Sequence, residues 1–406
     1  MKTFKTRLEI LAIVFLAFAG ITSCSTDDKG IASEDKGPKV SSLSSNTVHF
    51  NDLLIINGEN FGPTAADNTV TINDVVATVY NASATKLEVY VPAVGNTTGE
   101  IKITTRGKSI SGGTVTYVPD VFVGGMLYVG VDENYISKYW VNGTETQVSD
   151  NNSVIRSIFV EHNNIYLCGE NDGVAQYWEN GTPTSMGTGQ AYNIFVANSE
   201  VYVACGGYFP VYWKNGTRTE LANSFGAAAS IFTKGNDIYV AGNLSGRAYY
   251  WKNGTPVRLS NLPSYGNSIA VAGSDIYVTG HEQETPSGIY KAIVWKNGNA
   301  LTISNDYSVP YSIAVNGNDV YVSGYTQQAS GEKTLTYWKN GNAFPLASLG
   351  TAEVINIGIK VFGNDVYVAA FEYAGGKKTA KYWKNGTAVT LSNIPNNTEA
   401  TCIYIR

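Results

Sequence analysis

Residues 312–346 read SIAVNGNDVYVSGYTQQASGEKTLTYWKNGNAFPL, and this stretch decides the fold. An apolar run turns at Gly317-Asn318-Asp319, continues as Val320-Tyr321-Val322, crosses a variable loop, and re-enters an extended run at Thr336-Tyr337-Trp338. Lys339-Asn340-Gly341 then precedes a last short run. Asn-Gly suits a type I′ turn, whose two central residues both need φ > 0, so it joins a third strand to a fourth. The unit recurs: tryptophans stand at 140, 178, 213, 251, 295, 338 and 383, with spacings of 38, 35, 38, 44, 43 and 45. Four short strands repeated at about 40 residues are the signature of a β-propeller. Seven units predict seven blades over residues 120–406, and no segment after residue 30 shows sustained helical periodicity.

The repeated residues read as architecture. In Thr379-Ala380-Lys381-Tyr382-Trp383, alternate side chains point to opposite sides, and both sides of a blade are covered by neighbours. A stacked Trp there contributes on the order of 4–6 kcal/mol as an upper bound, and a ligand has no use for seven equivalent stackers. Asp237, Asp275, Asp319 and Asp365 sit in Gly-Asn-Asp or Gly-Ser-Asp turns and are expected to satisfy local backbone N–H groups. The last segment, TEATCIYIR, matches the first strand of a unit with no second strand after it, so Thr401 to Arg406 is expected to complete the first blade and close the ring. The "[IV]YV.G" second strand and Tyr-containing third strand resemble Kelch-type propellers, although the Gly-Gly doublet is mostly missing.

The N-terminus is a targeting segment. Lys2, Lys5 and Arg7 precede an apolar run from Ile10 to Gly20, too short to span a bilayer core that needs ~20 apolar residues. Ile21-Thr22-Ser23-Cys24 resembles the bacterial lipobox, which implies cleavage after residue 23 and lipidation of Cys24. The following CSTDDKG resembles the export signal of Bacteroidetes-type surface lipoproteins, implying an outer-membrane, cell-surface location. Cleavage removes three basic residues and one acidic residue, leaving 25 Lys+Arg against 32 Asp+Glu. That balance disfavours nucleic acid, which requires a basic footprint. Cys168, Cys205 and Cys402 lie in apolar runs and read as small buried hydrophobes without metal spacing.

Residues 24–37 are polar and read as a flexible tether. Residues 38–119 alternate in TVTIND, KLEVYVP and EIKITT, with turn residues every 8 to 12 positions, the pattern of a β-sandwich. Gly58-Glu59-Asn60-Phe61-Gly62, the VTIND strand, VYVP and TGEIKI resemble the IPT/TIG family of immunoglobulin-like domains, which implies a spacer or stalk. The expected fold is thus all-β: an immunoglobulin-like β-sandwich followed by a seven-bladed β-propeller.

Short repeated turns fall on one propeller face and long variable loops on the other, where function more often resides. On or near that loop face stand Tyr135, Tyr208, Phe209, Tyr265, His281, Tyr307, Tyr325 and Tyr373, with Tyr208, Tyr265, Tyr325 and Tyr373 expected to be partly exposed. Aromatic rings interspersed with amides suit sugar faces or a protein patch; packing of the loops on one another is the alternative for each ring. The three histidines, His49, His162 and His281, form no zinc cluster, and no catalytic motif falls in a fitting context. Glu282 with Glu372 or Asp132 would be a carboxylate pair for glycoside cleavage, at a separation the sequence does not define. The reading is a monomeric, cofactor-free lipoprotein that captures a glycan or glycoconjugate without catalysis. A protein-interaction or adhesion platform comes second, and a loop-face hydrolase or lyase third.

Overall fold

The eight strands of the first domain are β1 (Lys39–Leu43), β2 (Thr47–Val48), β3 (Leu53–Glu59), β4 (Asn68–Ile72), β5 (Val75–Ser83), β6 (Lys86–Tyr90), β7 (Thr98–Thr105) and β8 (Lys108–Tyr117). This computed structural model describes residues 36–129, 134–150, 152–285, 288–391 and 397–406, so Cys24 and Asp132 lie outside the described residues. Alternation does what it predicts: in β7, Gly99, Ile101, Ile103 and Thr105 are buried while the residues between them face outward or sit at the margin. The strands do not form two separate sheets. They follow one path, β1-β3-β6-β5-β4-β7-β8-β2, because β5 pairs with β4 through its first half and with β6 through its second. A bulge between Val79 and Asn81 lets β5 bend from one partner to the other, as bulges do.

Beyond residue 120 each sequence unit supplies four antiparallel strands, but they do not assemble into seven separate four-stranded blades. Among the described residues there are five four-stranded sheets and one eight-stranded sheet. In the latter, the third unit (190–220) and the fourth (226–258) run together where Gly206 pairs with Ala227. The reason is local: a Cβ on Gly206 would come within 2.7 Å of the Ala227 Cβ, so only the bare glycine lets the backbones approach. The Kelch resemblance also fails. The repeats carry no Kelch signature, with Gly-Gly at 206–207 but Gly-Glu, Gly-Asn, Gly-His and Gly-Tyr at 169–170, 242–243, 280–281 and 324–325. The C-terminal strand Thr398–Ile405 pairs antiparallel with Val121–Val129 and supplies the innermost strand of the first unit. Lys378 and Glu399 hold that seam with a buried 2.7 Å ion pair, and Tyr128 donates to the same carboxylate at 2.8 Å.

The tryptophans are wedges between sheets. Trp140, Trp178, Trp251, Trp295, Trp338 and Trp383 are all buried, whereas Trp213 remains partly accessible. Each Asn-Gly turn has the left-handed pair the I′ geometry needs, for example Asn253 at φ 50 and Gly254 at φ 79. The turn acids do not serve their own loops as expected. Asp237 accepts from Asn253 Nδ2 at 2.8 Å and from Lys252 Nζ at 2.9 Å, while Asn253 Oδ1 accepts the Ile238 N–H. The same bracket forms around Asp275, Asp319 and Asp365, so the Lys-Asn-Gly hairpin is tied to the preceding turn.

Residues Gly37–Arg406 form one compact unit, with the first domain seated against the tight-turn face. Tyr117 stacks on Phe362 at 5.7 Å. Arg406 lies over the Phe50 ring at 4.1 Å, pairs with Asp120 at 3.0 Å, and donates to the His162 carbonyl. The loop face is left open.

Candidate functional site

The first strand of a unit repeats as a variable residue, then Ser or Asn followed by Ile: Arg156-Ser157-Ile158, Tyr192-Asn193-Ile194, Ala229-Ser230-Ile231, Asn267-Ser268-Ile269 and Tyr311-Ser312-Ile313. Each variable residue is a β-bulge, with the pairing register jumping across it. A bulge leaves its residue unpaired and re-aims its side chain. Here the recurring bulge turns Arg156, Tyr192, Ala229, Asn267 and Tyr311 toward one space at the loop-face mouth of the ring, a cavity of about 720 Å³. That size lies within the range of ligand clefts, roughly 300–1,000 Å³.

The Ser/Asn that follows each bulge ties neighbouring units together. Asn193 Nδ2 donates to Ser157 Oγ at 3.0 Å, Asn193 Oδ1 accepts the Ile231 N–H at 3.0 Å, and Ser230 Oγ accepts the Ile269 N–H at 3.3 Å. These bonds set the spacing of the bulged residues, which is how a varied lining sits on an invariant frame.

The lining mixes polar and apolar groups, and its one cation among the described residues is paired from outside it. Arg156 pairs with Glu170 at 2.8 Å and sits 5.5 Å from the Tyr192 ring centroid. No acidic residue lines the cavity among the described residues. Tyr192 donates to Gln190 Oε1 at 2.7 Å, and Tyr311 to the Val354 carbonyl at 2.9 Å. Burial raises both phenols above their ordinary range, so they remain protonated donors. Asn267 and Asn356 use their Nδ2 groups on the carbonyls of Pro310 and Arg156.

Of the residues expected from sequence, the cavity brings together Tyr265 and His281. Their rings stack at 5.2 Å, Tyr290 meets the imidazole edge-on at 4.6 Å, and Tyr307 packs on Tyr290 at 5.5 Å. Burial pushes the His281 pKa down to about 4, so the imidazole is neutral at ordinary pH, and its Nδ1 is buried without a partner. Tyr208 and Phe209 line a separate cavity of about 210 Å³ with Met186, Trp213 and Arg218. Tyr135 packs edge-on against Tyr128 at 4.9 Å, and Tyr373 lies on the Gly350 backbone, where a Cβ would fall 2.4 Å from its ring.

Tyr325 differs from expectation: it is 8% exposed, in the core with Leu335, Leu349 and Phe371. Its strand, Asp319–Gln327, runs two residues past Tyr325 and pairs on both sides, so the ring belongs to the sheet and not to the loop. Glu372 is engaged by Lys381, and neither it nor Glu282 lines the cavity. Sequence reading missed Arg156, Gln190, Tyr192, Asn267, Tyr311 and Asn356. The available signal was the single position that varies before an otherwise constant Ser/Asn-Ile.

Residues 38–118 match the family model of the IPT/TIG domain. No curated protein matches the chain. Among solved structures, a structural-genomics protein of unknown function from Bacteroides thetaiotaomicron VPI-5482 is similar at 13% identity and a TM-score of 0.50, over 86% of this chain and 99% of that one. That likeness is one of fold. An auxiliary nutrient binding protein from the same organism has 13% identity and a TM-score of 0.29, over 87% of this chain and 85% of that one. The WD40 propeller domain of Doa1 has 13% identity and a TM-score of 0.42, over 68% and 88%. At scores this low nothing follows for this chain from what those two proteins do.

Proposed function

We propose that this protein is a surface lipoprotein, anchored through Cys24, whose loop-face cavity captures a neutral glycan without cleaving it. The carrying observation is the lining: bulge-aimed amides and phenols around a Tyr265–His281 stack, with the one cation already neutralised by Glu170. A sugar offers an apolar ring face for stacking and many hydroxyls for amides, and such a site needs no charge. Cleavage would call for a pair of carboxylates flanking the bond, and among the described residues the cavity lining supplies neither. The first domain, packed on the opposite face, leaves this mouth directed away from it.

The test is a glycan array with residues 25–406, followed by calorimetry. Tyr265→Ala should weaken binding by ~1–3 kcal/mol, as truncation of an aromatic anchor does, with an unchanged melt. Capture of acidic glycans alone, or product release, would overturn the reading. Membrane fractionation of Cys24→Ala tests the anchor separately: the variant should appear in the soluble fraction.

A further inference from the structure

The 720 Å³ cavity and the 210 Å³ cavity share three lining residues, Gly189, Gly206 and Gly207, all glycines. The two spaces adjoin at these glycines. The backbone explains why they are bare. Gly189 has φ +135 and sits where a Cβ would meet the Gly206 carbonyl at 2.8 Å, and a Cβ on Gly206 would meet Tyr192 at 2.7 Å. Gly207 is unlike them, since a Cβ there would come no nearer than 4.0 Å to anything. Its lack of a side chain is a matter of open space and not of packing.

The smaller cavity also has the furniture of a binding surface. Trp213 is partly open there, while the other six tryptophans are buried. Tyr208 is 72% exposed, with Phe209 edge-on at 5.0 Å and Phe225, 63% exposed, at 6.1 Å. Phe225 lines the larger cavity and Tyr208 the smaller, so the aromatic rim runs unbroken from one to the other. Arg218 pairs with Glu220, so the cation at this end, like Arg156 at the other, is matched by a carboxylate. At 210 Å³ it lies below the range of independent ligand clefts, roughly 300–1,000 Å³, and offers room for an extension of a ligand.

We infer that the two cavities are subsites of one groove crossing the glycine wall between the second and third units, and that its occupant is a neutral oligosaccharide chain several sugars long. This rests on the glycan-capture reading and adds the length and path of the ligand. The Tyr265–His281 stack holds one portion of the chain; Tyr208, Phe209 and Trp213 hold another.

The experiment measures affinity for disaccharide, tetrasaccharide and octasaccharide members of starch-type, cellulose-type and mannan-type series, together with the array hits. The unsubstituted protein should gain about tenfold or more between disaccharide and octasaccharide, the equivalent of one added stacking contact. Gly207→Leu, which obstructs the crossing, should flatten that dependence, and Tyr208→Ala, an exposed position, should reduce it. Melting and elution identify a misfolded Gly207→Leu, in which case Tyr208→Ala decides alone. Affinity independent of length, or an undiminished gain in a folded Gly207→Leu or in Tyr208→Ala, would overturn the groove while leaving glycan capture intact. No binding to any glycan would overturn both.

Discussion

The third and fifth units have the same four strands and the same Trp-Lys-Asn-Gly turn, yet one is open and the other sealed. In the fifth, Ser264 opens the first strand and its Oγ accepts the Ala248 N–H of the preceding unit at 2.9 Å. Ser308 repeats the clamp on Ala292 at 3.0 Å, Ser153 on Ser137 at 3.1 Å, and Thr398 on Ala380 at 2.9 Å. The third and fourth units begin their first strands instead around Gly189 and Gly226, which carry no hydroxyl. Unclamped on both sides, the third unit pairs backbone-to-backbone with the fourth at Gly206, leaves Trp213 accessible, and borders the small cavity. The clamp recurs at four junctions and is missing from both junctions of the third unit.

Deleting Thr401–Arg406 should have the largest effect, because it opens a second boundary, this time by removing a whole ladder. The loss should approach the entire stability of a domain, about 5–15 kcal/mol, with association through the exposed edge seen by elution. An unchanged melt would mean that this seam is as dispensable as the open one. Next, Trp251→Ala should cost ~3–5 kcal/mol through the cavity it leaves, and Trp213→Ala roughly 1–2, since partly accessible sites relax. Equal costs in denaturant titration would break the contrast between the units.

Ser264→Ala isolates the clamp. It strips a buried N–H of its acceptor, at a cost of about 1–3 kcal/mol, and it should raise hydrogen exchange at Ala248 while leaving Ala292 and Ala380, which keep their own clamps, unchanged. The smallest effect concerns His281. Its folded pKa of about 4 lies below the ordinary 6.5, and burial alone is the cause. The unfolded chain therefore takes up the proton first as pH falls, so this contribution is complete above 6.5 and is lost between 6.5 and 4. On the order of 1 kcal/mol should disappear over that window after allowing for the group's partial access to the cavity, and His281→Gln should lack the loss.

Much of this was legible from residues. The four-strand units, the I′ hairpins, the burial of most tryptophans and the C-terminal strand's return all follow from periodicity and turn chemistry. Tyr265 and His281 were singled out by their place in loops next to strand ends, and they meet in the cavity. Tyr325 was misplaced because a strand's end is set by whether a partner continues beside it, which residue type does not report. The bulged positions were invisible for a similar reason: Arg156 and Tyr192 look like ordinary alternating residues until the pairing register is known.

By itself the sequence determined the local structure: where strands run, where Asn-Gly turns them, and which stripe of each strand is apolar. Those are decided within a few residues, by φ/ψ preference and by alternation. The tertiary structure alone decided how units join, that five sheets stand separately while two units merge into one, and that bulges converge on a single cavity. Such outcomes depend on the approach of backbones and side chains distant in the sequence, as where Gly206 meets Ala227 and where Ser264 meets Ala248.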